Sequence, residues 1–256
     1  MQPYTGFASV YDMFMDNVPY EEWADYVQSL LKKFKIEKGL LLELGCGTGS
    51  MTRALGAKGF DMIGIDNSEE MLQIAREKNS DKEDAILYLC QDMREFELYG
   101  TVSAVISVCD SMNYILTEDD LLRVFQLVNN YLDPQGLFVF DLDTIYAYEE
   151  VLGDNTIAEN REEGSFIWEN TYYEEEMINE VNLSLFIPEE KDLYRKYEET
   201  HYRRAFPLDT VKRLIEEAGM EWVAIYDALT VKAPSKDCER VYIIAREKRQ
   251  ADKLYL

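Results

Sequence analysis

A glycine-rich segment is the part of the sequence that most directly indicates a ligand site. It reads Glu43-Leu44-Gly45-Cys46-Gly47-Thr48-Gly49 and lies between a predicted strand, Leu40–Leu44, and a predicted helix. Glycines let the backbone turn tightly and approach a ligand without an obstructing Cβ atom. In an open α/β sheet, ligands bind at the carboxyl ends of strands near the switch in strand order. The segment therefore predicts a nucleotide-type cofactor site, the alternative being glycines that only form a turn.

The spacing of the glycines separates two classes of cofactor. A dinucleotide fingerprint, GxGxxG, would need glycine at position 50, where the chain has Ser50. The spacing is GxGxG instead, with an acid, Glu43, two residues before the first glycine. Asp66 ends the second predicted strand, where a carboxylate can accept hydrogen bonds from both ribose hydroxyls. Because nicotinamide-binding folds use an acid in the same way, Asp66 alone favours neither cofactor.

Two more polar segments follow the third and fourth predicted strands. Gln91-Asp92-Met93 comes after Ile86–Cys90, and Cys109-Asp110-Ser111-Met112-Asn113-Tyr114 comes after Ala104–Val108. The carboxyl ends of parallel strands share one edge of a sheet, so both segments are expected beside the glycine-rich segment. An acid at a strand end is, in isolation, often an ordinary loop residue.

Taken together, these segments resemble those of class I S-adenosylmethionine (SAM)-dependent methyltransferases. The GxGxG segment is similar to the first motif of that family. Small cytoplasmic members also begin with a YxxFAxxYD-like segment, here Tyr4–Asp12, and carry DSxNY after the fourth strand, here Asp110–Tyr114. The resemblance covers residues 1–142 and 206–246, whereas the segment between them matches only in general character.

The resemblance implies SAM as cofactor and assigns roles to particular residues. Asp92 would meet the adenine amino group, and Met93 would supply its backbone amide and an apolar contact. Residues from Cys109 onward would lie near the methionine part and the transferring methyl group. The full set of cofactor-binding residues implied is Tyr11, Glu43, Gly45, Cys46, Gly47, Gly49, Asp66, Asn67, Met71, Asp92, Met93, Cys109, Asp110 and Asn113.

Fewer residues are candidates for chemistry on the acceptor. Methyl transfer needs the acceptor held close to its attack position with water excluded, and a base only if the nucleophile arrives protonated. His201 is the only histidine and hence the candidate catalytic base, the alternative being a structural or surface histidine. Tyr4 and Tyr11 could flank the sulfonium or the substrate, since aromatic faces attract cations.

The order of predicted elements shows how these segments are positioned. Strands alternate with helices as far as Asp143, one helix being predicted to start at an Asn67 cap, and a hairpin near 221–226 and 240–245 ends the pattern. This predicts a Rossmann-like, mostly parallel seven-stranded α/β sheet with helices on both faces. Residues 144–205 alternate aromatic and acidic stretches, which predicts an inserted antiparallel β subdomain. The predicted organisation is a SAM-binding core, 1–143 and 206–256, with the 144–205 insert as a substrate lid.

Composition limits the possible partners. The chain of 256 residues has 26 Lys and Arg against 50 Asp and Glu, a net charge of −24 that opposes binding to nucleic acid. It has no stretch of about 18 consecutive apolar residues and no secretory signal pattern, so a cytoplasmic protein without a membrane span is expected. Four scattered cysteines and one histidine argue against a zinc site, and no metal is predicted.

The sequence therefore predicts a SAM-dependent methyltransferase acting on an N or O nucleophile of a small molecule. Between positions 143 and 200 there are 17 Asp and Glu against 4 Lys and Arg, so the insert should repel polyanions and admit neutral or cationic acceptors. Alternatively, these acids are simply the solvated face of a sheet. Two other functions remain open at this point: a non-catalytic SAM-binding protein, and an NAD-dependent oxidoreductase, which Ser50 and the final hairpin disfavour.

Overall fold

The computed structural model of the protein describes residues 8–79, 86–190 and 193–249, together with Lys253 and Tyr255. The α-helices of the described chain are α1 (Ala8–Phe14), α2 (Tyr20–Lys33), α3 (Ser50–Ala57), α4 (Glu69–Glu77), α5 (Glu118–Tyr131) and α6 (Leu208–Glu217); Ser111–Tyr114 forms a 3₁₀ helix and Ala147–Leu152 a π-helical turn. The strands are β1 (Leu40–Leu44), β2 (Asp61–Asp66), β3 (Leu87–Cys90), β4 (Val102–Ser107), β5 (Leu132–Asp143), β6 (Thr156–Arg161), β7 (Gly164–Tyr173), β8 (Ile178–Pro188), β9 (Tyr194–Arg204), β10 (Met220–Asp227) and β11 (Arg240–Glu247). None of the helices in this part of the chain is long and apolar enough to cross a membrane.

Seven strands form the larger sheet, in the order β3-β2-β1-β4-β5-β11-β10. The strands from β1 to β5 pair in parallel, whereas β11 runs antiparallel to both of its neighbours. This confirms the predicted Rossmann-like sheet and its final hairpin. The chain moves outward from β1 to β3 and then returns to place β4 on the other side of β1. The switch in strand order therefore lies between β1 and β4, where ligands of such sheets bind.

Apolar layers cover both faces of this sheet. Helices α5 and α6 pack on one face through residues such as Phe125 and Leu214, and α2 and α3 pack on the other through residues such as Leu30 and Leu55. Leu41, Leu42 and Leu44 of β1 are fully buried because both faces of the strand are covered. The carboxyl ends of the strands are consequently held on a rigid support.

The start of α4 differs from the prediction. Ser68, not Asn67, is the N-cap, and its hydroxyl accepts a hydrogen bond from the Met71 N–H at 3.2 Å. A serine one residue later reaches the third helical amide equally well, and both residue types are good caps. Asn67 is thereby left facing the ligand-binding edge of the sheet.

A second sheet lies between β5 and α6 in the chain. It is antiparallel, in the order β6-β7-β8-β9, as the alternating pattern of residues 144–205 predicts. Helix α1 packs on this sheet, its Val10 and Phe14 meeting Leu183 and Leu185 of β8. The N-terminal helix therefore contacts an element much later in the chain.

Candidate active site

A cavity of about 310 Å³ opens at the carboxyl ends of β1, β2 and β4 and beside the loop after β3. The structure brings together in its wall eleven of the residues named from the sequence: Tyr11, Glu43, Gly45, Cys46, Gly47, Asp66, Asn67, Met71, Asp92, Met93 and Cys109. Gly49, Asp110, Asn113 and His201 lie outside this wall, and Tyr4 lies outside the described residues.

The loop between β1 and α3 forms one side of the cavity. Gly47 has a φ of +52°, in the left-handed region, and a Cβ atom placed on it would meet no atom within 4 Å. The backbone here is thus open toward the cavity, as a cofactor that approaches the main chain requires. Gly49, the N-cap of α3, has a φ of +73° and packs against the hydroxyl of Tyr88. A side chain at this position would overlap Tyr88, so glycine is needed here to begin the helix and not to admit a ligand.

Asp66 joins this loop to β2. One oxygen of its carboxylate accepts the Gly47 N–H at 2.8 Å, and the other accepts the Ser68 N–H at 2.9 Å. Burial raises the pKa of Asp66, while these backbone hydrogen bonds act in the opposite direction. A carboxylate oxygen has two acceptor sites, so each can still receive a ligand hydroxyl. The geometry suits a group that carries two neighbouring hydroxyls.

Glu43 lies at the base of the cavity and is 2% exposed. Thr52 of α3 donates a hydrogen bond to its carboxyl group. Burial raises the pKa of Glu43 to about 8, the Thr52 hydrogen bond lowers it, and the nearby Asp66 adds to the rise. A carboxyl group with this pKa is mostly protonated at neutral pH.

Asp92 and Met93 line the cavity after β3. The Asp92 carboxylate accepts hydrogen bonds from the backbone N–H of Arg94 at 2.8 Å and from its Nε at 2.9 Å. The Arg94 side chain holds the pKa of Asp92 below its ordinary value. Asp92 is accordingly ionised and can accept a hydrogen bond from an amino group.

The loop after β4 has an unusual backbone. Cys109 and Asp110 are consecutive non-glycine residues with φ of +61° and +53°. The buried carboxylate of Asp141, at the end of β5, accepts both of their N–H groups at 3.0 Å and so stabilises this conformation. Burial raises the pKa of Asp141 to about 7. The loop places Cys109 in the cavity wall and directs Asp110 elsewhere.

Asp110 and Asn113 connect the loop to the rest of the fold. The Asp110 carboxylate pairs with Arg203 of β9 at 2.7 Å and with Arg240 of β11 at 3.4 Å. The side-chain amide of Asn113 donates to the carbonyls of Asp143 and Arg204 and accepts the Asp143 N–H at 3.0 Å. Both residues are thus used to join the ends of β4, β5 and β9.

His201 lies on β9 and is 2% exposed. Its Nδ1 atom is 3.1 Å from the hydroxyl oxygen of Tyr114, and its Nε2 atom is 3.3 Å from the carboxylate of Glu199. Tyr114 lines the cavity. Tyr114 therefore connects the histidine to the cavity.

Several wall residues were not predicted as site residues from the sequence. Among them are Tyr20, Thr48, Ser50, Met51, Thr200 and Tyr202. Thr48 donates a hydrogen bond to Asp12 of α1 at 2.6 Å, and Asp12 also pairs with Lys78 at the end of α4. The spacing within a motif could not reveal Thr200 and Tyr202, because they come from the second sheet. The YD pair at 11–12, in contrast, was a signal that α1 closes over the glycine loop.

The fold and this cavity define a class of protein. Four features together describe a Rossmann-like methyltransferase rather than a dinucleotide-binding enzyme. The strand order of the parallel sheet switches beside the glycine loop, an acid follows β2, a polar segment follows β3, and the sheet ends in an antiparallel hairpin.

Comparison with known proteins agrees with this class. A family model described as "Methyltransferase domain" matches residues 41–136. "Putative methyltransferase YqeM" of Bacillus subtilis (strain 168) is 36% identical over 247 residues, which are 96% of this chain and 98% of that protein. The crystal structure of a SAM-dependent methyltransferase from Clostridium acetobutylicum ATCC 824 is 26% identical, covers 96% of this chain and 99% of its own, and has a TM-score of 0.85.

A third relative shares part of its length with this chain. The dTDP-3-amino-3,4,6-trideoxy-alpha-D-glucopyranose N,N-dimethyltransferase of Streptomyces venezuelae is 32% identical over 136 residues, 52% of this chain and 56% of that protein.

The chain belongs to the class I SAM-dependent methyltransferase family. It is a methyltransferase, and its cofactor is SAM.

Proposed function

We propose that this enzyme methylates an N or O atom of a small molecule that is neutral or cationic. The observation that carries the proposal is the composition of the cavity wall, where Tyr11, Tyr20, Tyr114 and Tyr202 present four aromatic rings. Aromatic faces attract cations such as a sulfonium or an ammonium group. Arg94 is the basic side chain in the described wall, and it is already paired with Asp92. The described wall therefore offers no unpaired basic side chain to bind a phosphate group.

The residues of the wall fit the parts of SAM. The free acceptor sites of Asp66 suit the ribose hydroxyls, the open backbone at Gly47 suits close approach of the cofactor, and Asp92 with Met93 suits the adenine. When bound, the cofactor supplies an electrophilic methyl carbon, and the bonding electron pair stays on sulfur when that carbon is transferred. The protein's own contribution is to position the acceptor and exclude water.

The second sheet is proposed to act as a lid that selects the acceptor. Thr200 and Tyr202 of β9 reach the cavity wall from the 144–205 segment, while the core comprises residues 1–143 and 206–256. Helix α1 links the two, because it packs on β8 and also accepts the hydrogen bond from Thr48 through Asp12. The acidic surface of the segment would disfavour polyanionic acceptors.

A nitrogen acceptor has separate support from the Streptomyces venezuelae relative. That protein is named as an N,N-dimethyltransferase of an amino sugar linked to dTDP. The same name points to a phosphate-bearing acceptor, which is the opposite of the charge proposed here. The acceptor screen must therefore include amines with and without phosphate.

The test is a screen of purified enzyme with methyl-labelled SAM against fractionated metabolites and panels of amines and alcohols. Labelled product from an uncharged or cationic amine or alcohol supports the proposal. Exclusive labelling of phosphorylated acceptors would overturn its charge component, and exclusive labelling of carbon or sulfur atoms would overturn the acceptor atom.

The lid is tested by two tyrosine variants on the same sheet. Tyr202 and Tyr173 are both 44% exposed, but of the two it is Tyr202 that lines the cavity. We expect Tyr202→Ala to raise KM for the acceptor roughly tenfold, about 1.4 kcal/mol, and Tyr173→Ala to leave it unchanged. If the two variants change KM equally, the second sheet does not select the acceptor.

A further inference from the structure

Three side chains form a chain of contacts that leads away from the cavity. Tyr114, in the short 3₁₀ turn Ser111–Tyr114 after β4, lines the cavity, and its hydroxyl is 3.1 Å from His201 Nδ1. His201 Nε2 is 3.3 Å from a carboxylate oxygen of Glu199. His201 and Glu199 are 2% and 3% exposed. A phenol, an imidazole and a carboxylate thus follow one another from the cavity into the interior.

The strand opposite Glu199 and His201 is apolar, and the contact between their side chains is one of charge proximity without a hydrogen bond at Nε2. Glu199 and His201 share a face of β9, and the residues opposite them on β8 are the apolar Leu183 and Val181. Arg203, the next residue on that face, interacts electrostatically with Tyr114, but its guanidinium is paired with Asp110.

Among the residues that the structure describes, Tyr148 is a further titratable group that interacts with Tyr114. The buried phenol of Tyr148 interacts with both Tyr114 and Arg203, and the Arg203 guanidinium lies over the Tyr148 ring at 5.9 Å. Tyr148 remains neutral, because burial raises the pKa of its phenol well above the ordinary value. The carboxylate of Glu199, 3.3 Å from Nε2, is a charge placed directly beside the imidazole.

We propose that Tyr114, His201 and Glu199 form a proton relay for the methyl-transfer reaction, with Tyr114 as the catalytic residue and the other two as positioning residues. The inference rests on the proposed function, namely an acceptor whose nucleophilic atom carries a proton. Forming the new bond to carbon makes that proton acidic. It passes to the Tyr114 oxygen as Tyr114 gives its own proton to His201 Nδ1.

The charge that His201 gains during the transfer explains the role of Glu199. The acceptor loses one proton, Tyr114 ends as it began, and His201 becomes an imidazolium beside the Glu199 carboxylate. A buried positive charge is costly unless it is paired, and Glu199 supplies the pair. After the product leaves, the proton returns along the same path to solvent, because His201 is otherwise enclosed.

The first test needs no acceptor. His201 is the only histidine in the chain, so its imidazole ¹⁵N resonances in the full-length protein need no assignment by mutation. The relay requires the neutral tautomer with the proton on Nε2 and with Nδ1 accepting from Tyr114. Tyr114→Phe should therefore shift the Nδ1 resonance, while Tyr242→Phe, a buried tyrosine outside the cavity wall, should not. A proton found on Nδ1 would overturn the relay.

The second test measures the initial rate of label transfer from methyl-labelled SAM to a saturating metabolite extract, as a function of pH. Tyr114→Phe and His201→Asn should each lower the plateau rate roughly 100-fold, the range of general base catalysis, with SAM affinity within about twofold of wild type. Tyr242→Phe is the control for loss of a buried hydroxyl. A merely structural role would lower stability but leave the plateau rate unchanged.

The Glu199→Gln variant separates positioning from packing. It removes the charge and keeps the size of the side chain. The imidazolium formed during the transfer then lacks its counter-charge, so the plateau rate should fall roughly tenfold, with SAM affinity within about twofold of wild type. An unchanged plateau rate in the folded variant would overturn the role of Glu199.

Failure of the relay and failure of the proposed function give different results. If wild type transfers no label to nitrogen or oxygen acceptors, the proposed function fails, and the relay for such acceptors fails with it even if the tautomer is as expected. If wild type transfers label and Tyr114→Phe does so at the same rate, the function stands and the relay is overturned.

Discussion

Replacement of Gly47 by alanine should abolish tight cofactor binding while costing the fold little. The added Cβ meets no protein atom within 4 Å, so the cost to folding is that of a left-handed alanine, about 1–2 kcal/mol. For a domain of this size, that lowers Tm by roughly 2–4 °C per kcal/mol. The same Cβ projects where the cofactor should approach, so we expect SAM to bind at least about tenfold more weakly, a loss of about 1.4 kcal/mol. Gly47→Val should be more severe.

Two other glycines provide matched controls. Gly59 has a φ of +94°, and a Cβ atom added there would likewise meet nothing within 4 Å, but this glycine lies outside the cavity wall. Gly59→Ala should therefore lose comparable stability and keep full SAM affinity. Gly49→Ala should mainly lower the free energy of unfolding, because its Cβ would overlap the buried Tyr88 hydroxyl.

Calorimetry with SAM and S-adenosylhomocysteine, and thermal unfolding with and without them, separate these cases. Ligand at about 100 times Kd adds about 2.7 kcal/mol of stability to a protein that binds it. Wild type and Gly59→Ala should show this gain, and Gly47→Ala should show much less at the same ligand concentration. If Gly47→Ala binds SAM as tightly as Gly59→Ala does, the cofactor does not approach this loop and the reasoning is wrong.

Three further outcomes are expected. Because the pKa of Glu43 is raised to about 8, the stability that this group contributes is fully present below about pH 4.5 and is lost as the pH rises through about 8. The free energy of unfolding of wild type, measured in urea, should therefore fall between pH 6 and 9, and Glu43→Gln should make that fall smaller by on the order of 2–3 kcal/mol. The exposed Glu163→Gln should leave it unchanged. Asp66→Ala should weaken SAM binding by roughly 1.5–3 kcal/mol in calorimetry, and unchanged affinity in a folded variant would exclude a ribose contact. Asn113→Ala should lower the free energy of unfolding by about 2–4 kcal/mol through three lost hydrogen bonds, with SAM affinity nearly unchanged; the reverse pattern would return Asn113 to the cofactor site.

The sheet could be predicted from the sequence because its determinants are local. Strands buried on both faces appear as short apolar runs, and helices appear as one-sided stripes, so both can be recognised a few residues at a time. Right-handed crossovers and the short final hairpin limit the possible strand orders, and the structure shows which of them the chain adopts. The ligand edge then follows from the fold, which is why the segments after β1, β2 and β3 were placed together in advance.

The directions of side chains at the ends of β4 and β9 could not be predicted in this way. Asp110 leaves the cavity because Cys109 and Asp110 adopt left-handed backbones, and those depend on Asp141, which lies some 30 residues away. The contacts of His201 and Tyr202 depend likewise on how the second sheet settles on the first. Spacing within a motif fixes where a strand ends but contains no information on such distant partners.

The position of β11 has a consequence for biosynthesis. Among the described strands, β11 comes latest in the chain, yet it fills an interior place between β5 and β10, and Val241–Ala245 are buried. While the ribosome is still making it, β5 has an unpaired apolar edge that invites association with other nascent chains. Loss of β11, through a frameshift or proteolysis, would therefore split the sheet instead of trimming it. Completion of the sheet therefore depends on a strand that is synthesised after both of the strands with which it pairs.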